Sequence, residues 1–356
     1  MKVAILRIHP APYREPVLRR LVEDVRFTVE SFSIVGEDGG HAGMGLGSDR
    51  RPLAGVRHLA DLAFGDGIRL AIRLLRRFVF SRDYSCVVWP AYCPWWLTLP
   101  ILASAISGRR YAVSLDTVRD TSRFVGRAFK RLIFRRAAFL WVPGQAARRY
   151  LREQYGIPAE KIVTGLYLPE SFPIPHRLCT GGPITFLMVA NHVPNRRMEV
   201  LADGFRAFAT RHEGVRLVLC GKGVAPLAGG AVEVLEGGCA WPSLPELYAQ
   251  AAVYVHTGEE QFSTALLMGA MAELPLLVGA EVGVCADLFA QAGEKPGLTV
   301  DGWRDPECWR EAFERMWRHQ AMWPKMGVAA RRCAAAFSVE RTARAVGAAL
   351  MHDTKC

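Results

Sequence analysis

The stretch that most limits what this chain can become runs from Ala251 to Pro275. Ala251 to Val255 is a short continuous apolar run of the kind that forms a buried strand. After a polar loop, Ser263 or Thr264 stands where an N-cap is needed for an apolar helix that Pro275 stops. Strand, loop and helix in that order make a βα unit of an open α/β sheet, in which ligands bind at the carboxyl ends of the strands. The first helical turn leaves amides without partners, so Ala265 and Leu266 are candidates to face an anion such as a diphosphate. Glu259 and Glu260 stand at the mouth of the same loop. His256 closes the strand, either reaching the site or buried and satisfied beneath it.

At 356 residues the chain exceeds one ordinary core and suits two α/β domains, and its 51% hydrophobic content makes it globular. The 9 cysteines form no CxxC pair and fall mostly in apolar runs. They read as reduced core thiols of a cytoplasmic protein, not as a zinc site or disulfide framework. The net charge of +11 is uneven: residues 1–170 hold 27 Lys+Arg against 15 Asp+Glu, the remainder 18 against 19. A basic N-terminal half points to an anionic partner such as a membrane surface or a phosphorylated acceptor. Nucleic acid is not expected, since no helix-turn-helix, zinc-finger or RNP-like pattern is present.

Lys2 to Leu6 reads as the first strand of a Rossmann-like domain and not as a leader. A loop rich in proline follows, holding Tyr13 and Arg14, and then a helix from Val17 to Val25. Phe27 to Ile34 alternates as a second strand. Gly39 to Gly47 neither follows the first strand nor opens a helix, so it is no dinucleotide fingerprint. Arg69 to Phe80 and Arg123 to Arg136 are basic helices that lie either on anionic lipid or, as ordinary surface helices, in water.

Cys86 to Gly108 carries no charge over a length that could cross a bilayer, but Pro90, Pro94 and Pro100 interrupt it. It reads better as a strand, Cys86 to Trp89, feeding a helix begun by Pro94. Trp89, Trp95 and Trp96 then pack in the core, lie against lipid or line a cleft. Tyr111 to Leu115 is a strand ending at Asp116, a turn residue or a contact to substrate hydroxyls. In the second half, Ile184 to Val189 is a strand followed by a loop with Asn191 and Arg196. Arg216 to Leu219 is another, followed by Lys222 in a glycine turn whose spacing is not that of a Walker A loop.

The run Glu259-Glu260-Gln261-Phe262 through Met268 to Pro275 resembles the signature of the family 4 retaining glycosyltransferases. Glu260 falls on the first signature Glu, Phe262 on its Phe, Pro275 on its Pro, and Met268 on its second Glu. Other pieces resemble the same family: Pro12-Tyr13-Arg14-Glu15-Pro16, Asn191 to Arg197, Leu244 to Ala251, and Phe337-Ser338-Val339-Glu340. The resemblance implies an α/β fold of GT-B architecture, two Rossmann-like domains with an interdomain cleft. Their expected bounds are 1–167 for an acceptor-binding domain, 168–182 for a linker and 183–335 for a nucleotide-sugar-binding domain. Residues 336–356 would then form a helix crossing back to the first domain.

It further implies transfer of a sugar from a nucleotide-sugar donor to an acceptor hydroxyl with retention, without a metal or other cofactor. No Asp-x-Asp metal motif is present. Glu260 is the expected contact to the donor sugar, with Glu259 and His256 beside it. Arg196, Asn191, Lys222, Ala265 and Leu266 would hold the diphosphate, and Asp116 a catalytic place. Met268 takes the position of the carboxylate that binds the ribose; a thioether is a weak acceptor there. Tyr13 and Arg14 are acceptor candidates, the acceptor being a lipid-linked sugar at the inner membrane surface or a soluble natural product. A non-catalytic relative and a GT-B sugar epimerase are the other readings.

Overall fold

The computed structural model describes residues 1–7, 15–33, 56–58, 67–90, 95–115, 124–165, 182–239, 243–259, 263–290, 293 and 295–352. They fall into two units, one holding the described residues up to 165 with 339–352, the other 182–338.

The first unit is a 7-stranded parallel sheet of β1 (Lys2–Arg7), β2 (Thr28–Ser33), β3 (Val56–His58), β4 (Cys86–Pro90), β5 (Tyr111–Ser114), β6 (Leu140–Val142) and β7 (Ile162–Thr164). Their spatial order is β3-β2-β1-β4-β5-β6-β7. Strands covered on both faces need continuous apolar runs, which β1 and β4 supply. One face is packed by α2 (Gly67–Leu74), α3 (Trp95–Ile106), α4 (Phe124–Arg136) and α5 (Gln145–Tyr155), through a core that includes Leu70, Leu97, Ile133 and Leu151. Trp89 and Trp96 are both buried in that core.

Elsewhere in the unit α1 (Glu15–Glu23) packs beside the C-terminal helix Val339–Met351. Arg20 pairs with Glu340 at 3.3 Å, and Arg110 donates to the Ala349 carbonyl at 3.3 Å.

The sequence predicts a single basic helix over Arg69 to Phe80. The pitch changes within it: α2 passes into a π-helical segment, Leu75–Phe80, closed by the Ser81 amide donating to the Arg76 carbonyl at 3.1 Å. The wider turn lets the adjacent Phe78 and Val79 both reach the core while Phe80 stays exposed. The uncharged stretch beginning at Cys86 divides into β4 and α3, and no helix among the described residues is long and apolar enough to cross a membrane.

The second unit is a 6-stranded parallel sheet of β8 (Ile184–Val189), β9 (Val215–Gly221), β10 (Val232–Glu236), β11 (Val253–His256), β12 (Leu276–Gly279) and β13 (Gly297–Val300). Its order, β10-β9-β8-β11-β12-β13, reverses direction between β8 and β11. The helices are α6 (Met198–Ala209), α7 (Leu244–Ala249), α8 (Thr264–Met271), α9 (Gly283–Ala290), α10 (Pro306–Arg318) and α11 (Trp323–Ala334). Phe186 of β8 sits among Phe205 and Phe208 of α6 and Phe313 of α10, with ring centroids 5.5, 6.0 and 5.3 Å away. On the other face α8 lies directly on Tyr254, and a Cβ at Gly269 would fall 2.5 Å from that ring.

Candidate functional site

In a parallel sheet every strand ends on the same side, and the loops after β8 and β11 adjoin where the strand order reverses. That crevice is where open α/β sheets bind ligands.

The loop after β11 starts with Thr257, fully buried, whose Oγ1 has no hydrogen-bond partner among the described residues. Gly258 follows with φ +122°. A Cβ there would stand 2.9 Å from the Cα of Arg196, so glycine is required both by the backbone angle and by the approach of the neighbouring loop. Glu259 comes next. Its amide donates to the Asn195 carbonyl at 3.0 Å, and Asn195 Nδ2 returns a bond to the Glu259 carbonyl at 3.1 Å. Arg196 is thus seated against the strand–helix loop by its own backbone, on a short 3₁₀ turn, Pro194–Arg196. Its Nη1 donates to the Asn191 carbonyl at 2.6 Å.

The helix end is resolved between the two capping candidates. Ser263 is the N-cap of α8, and its Oγ accepts from the Leu266 amide at 3.2 Å. This corrects the expectation that Leu266 offers its amide to an anion, because a buried serine hydroxyl already satisfies it. The Ala265 amide has no acceptor among the described residues. Met268 is 2% exposed, packed within the apolar body of α8. His256 is buried too. Its ring stacks on Tyr254 at 6.1 Å, with Nδ1 3.4 Å from the tyrosine hydroxyl, and Tyr254 stacks in turn on Tyr248. The buried Tyr248 hydroxyl, its pKa pushed well up by desolvation, donates to the Ala265 carbonyl at 2.9 Å and so holds the first turn of α8 from below.

Asn191 and Lys222 meet, but through other atoms than the sequence assigns. Asn191 Oδ1 accepts from the Lys222 amide at 3.0 Å, and the Lys222 carbonyl accepts from the His192 amide at 2.8 Å. The Asn191 carboxamide is therefore a clamp between two loops. The Lys222 side chain is exposed and makes no ion pair among the described residues. The turn that carries it is tied on its far side by Glu236, whose carboxylate accepts from the amides of Gly223 and Ala225, each at 2.7 Å. Those backbone bonds hold the Glu236 carboxyl below its ordinary pKa.

Glu259 has a partner the sequence did not point to. Arg304, beyond β13, reaches the Glu259 carboxylate and also grips Glu281 with both nitrogens, each at 2.7 Å. Its guanidinium lies over the Trp303 ring at 4.4 Å, and the two carboxylates raise its pKa further. One arginine thereby ties together the loops after β11, β12 and β13. Asn195, Gly258, Glu236, Glu281 and Arg304 were all missed from sequence. A glycine directly after a strand was the available signal for Gly258; Arg304 lies 45 positions from Glu259 with no local pattern to link them.

Glu260 and Phe262 of the signature, Asp116, Tyr13 and Arg14 lie outside the described residues. So does nearly all of the expected linker 168–182.

Two Rossmann-like units of parallel strands in one chain define the GT-B fold. Over 99% of its length the chain is similar to Alr3699/HepE of Anabaena, solved in complex with UDP and glucose, at 15% identity and a TM-score of 0.73 covering 100% of that chain. A glycosyltransferase from Rickettsia africae ESF-5 matches over 99% of this chain and 98% of its own at 12% identity and a TM-score of 0.72. Sucrose-phosphate synthase from Thermosynechococcus elongatus matches over the same shares at 14% identity and 0.68. No protein-family model and no curated protein sequence matches this chain.

Proposed function

We propose that this chain is a GT-B glycosyltransferase that moves a sugar from a nucleotide-sugar donor to an acceptor hydroxyl, with retention and without a metal. The observation that carries the reading is the seating of Arg196 against Gly258, beside a capped helix that begins at the carboxyl end of β11. Breaking the bond to the donor sugar leaves a nucleoside diphosphate, whose charge must be met as it develops. Arg196 supplies a guanidinium suited to paired hydrogen bonds with phosphate, the Ala265 amide and α8 dipole add a fixed positive end, and Lys222 adds a mobile charge. Binding of UDP and glucose by the Anabaena protein supports a nucleotide-sugar donor.

Glu260 contacts the donor sugar in this reading, Asp116 faces the sugar or the acceptor, and Tyr13 and Arg14 receive the acceptor. The acceptor is a lipid-linked sugar in surface polysaccharide or glycolipid assembly. Release of nucleoside diphosphate from a panel of nucleotide sugars, with and without membrane extract, tests the reading. Turnover that Glu260→Ala abolishes supports it; absence of turnover with every donor overturns it.

One observation favours a second reading, a binding protein without turnover. Met268 is buried and apolar where the family resemblance places a ribose-binding carboxylate. Tight nucleotide binding with no release of diphosphate would select that alternative.

A further inference from the structure

Among the described residues, twelve large hydrophobic side chains stand exposed, and half of them lie on one part of the first unit: Ile68, Ile72, Phe80, Leu99, Ile106 and Phe129. Single exposed aliphatics are ordinary on a protein surface. These are grouped on α2 with its π-helical extension, on α3 and on α4, three neighbours packed side by side on one face of the sheet. Ile68, Phe80 and Ile106 are each about two-thirds exposed, at 66, 68 and 66%. The inner residues of the same helices fill the core, so this is the outer side of a finished layer and not an incomplete one.

The charge on these helices is one-sided. Gly67–Phe80, Trp95–Ile106 and Phe124–Arg136 together carry nine Arg and Lys and no Asp or Glu. Two helices elsewhere in the chain mix their charges: α10 has Glu307, Glu311 and Glu314 among its arginines, and the C-terminal helix has Glu340 in its first turn. Ile72 lies among Arg69, Arg73 and Arg76 along one groove of the surface.

We infer that the outer face of α2, α3 and α4 is a docking surface for an anionic lipid bilayer. Arginines alone would fit any polyanion. Exposed isoleucine, leucine and phenylalanine between them fit a surface that offers hydrocarbon a few ångströms beneath its phosphates, with the arginine stems covering apolar ground and their heads held at the phosphates. None of the described helices crosses a bilayer, so the contact is peripheral. The residues of this surface belong to the first unit and those of the proposed donor site to the second, and failure of either proposal leaves the other intact.

The test is co-sedimentation of the full chain with vesicles of phosphatidylcholine, with and without phosphatidylglycerol, at low and high salt. Binding is expected only with phosphatidylglycerol and is expected to weaken with salt. Each basic residue near such a surface contributes about fivefold to partitioning, so R73E/R131E should lower it by well over tenfold. I72S/F129S, which leaves every charge in place, should remove the part of the binding that survives high salt. R211E/R318E, on the second unit, is the control and should bind as the parent does. No binding to phosphatidylglycerol vesicles overturns the proposal. So does undiminished binding by both face variants, or an equal loss in the control.

Discussion

Asn195 and Glu259 are joined twice, the Glu259 amide to the Asn195 carbonyl at 3.0 Å and Asn195 Nδ2 to the Glu259 carbonyl at 3.1 Å. The pair bridges 64 positions of sequence and locks the loop after β8 to the loop after β11. Asn195→Ala removes the side-chain bond and leaves the Glu259 carbonyl to solvent. A hydrogen bond of this kind is worth about 1 kcal/mol net, so the melting temperature should fall slightly. Because Arg196 is the next residue, nucleotide affinity should fall more, and calorimetric titration of the variant with a diphosphate measures it. Unchanged affinity would detach this bridge from the site.

Gly258→Ala puts a Cβ 2.9 Å from the Arg196 Cα at a backbone angle L residues resist. Strain of that sort costs roughly 1–3 kcal/mol, and relief requires Arg196 to move away. The expected outcome is a folded protein, by circular dichroism, with lower thermal stability and no thermal response to nucleotide. Normal nucleotide response in the alanine variant would show that the close approach is dispensable.

Ser263 separates stability from binding. Loss of an N-cap costs about 1 kcal/mol, so Ser263→Ala should unfold at lower urea. Ser263→Asp keeps a capping acceptor and adds charge that the helix dipole favours, so its stability should equal or exceed the parent. The same carboxylate stands where a diphosphate would approach, and nucleotide binding should be lost. An aspartate variant that binds as well as the parent would place the anion elsewhere.

Arg304 holds Glu259 and Glu281 from outside the site. Exposed pairs contribute little to stability, so Arg304→Gln should leave the melting temperature nearly unchanged. Its effect should appear in donor KM more than in kcat, with partial rescue by Arg304→Lys. Equal losses in both parameters, without rescue, would argue against a role in positioning Glu259.

Glu236 gives a pH signature. Its native pKa lies below the ordinary 4.5 because the Gly223 and Ala225 amides bind the charged form. A depressed carboxylate pKa stabilises the fold fully above the unfolded value, and that contribution is lost as pH falls through the native one. Melting temperature recorded from neutral pH down through this acid range should therefore fall less steeply in Glu236→Gln than in the parent. Parallel curves would show that the ties to the turn do not depend on the charge.

Much of the fold could be read from apolar runs. β1, β4, β5, β8 and β11 are short, nearly continuous hydrophobic segments, as strands covered on both faces must be. The strands nearer the sheet edges were harder: β10 is Val-Glu-Val-Leu-Glu with Glu233, Leu235 and Glu236 in water, and β3 is only Val-Arg-His. Within the site, local chemistry was legible. Ser263 caps α8 because serine before an apolar helix can do little better. The role given to Leu266 failed for the same reason, since choosing a cap consumes one of the amides the cap exposes. Arg304 and Glu236 act across strands that are neighbours only after folding, and Asn191 spends its side chain on a backbone amide, a use that no spacing rule distinguishes from a phosphate contact.

The central claim is that a nucleoside diphosphate binds where Arg196 meets the start of α8. Thermal unfolding of the purified chain with UDP, GDP, dTDP, ADP and CMP, repeated on Arg196→Ala, addresses it directly. A ligand at a hundredfold excess over its dissociation constant stabilises by about 2.7 kcal/mol. One diphosphate should raise the melting temperature of the parent and leave Arg196→Ala unmoved. A parent that responds to none of the five, or a variant that responds as the parent does, would contradict it.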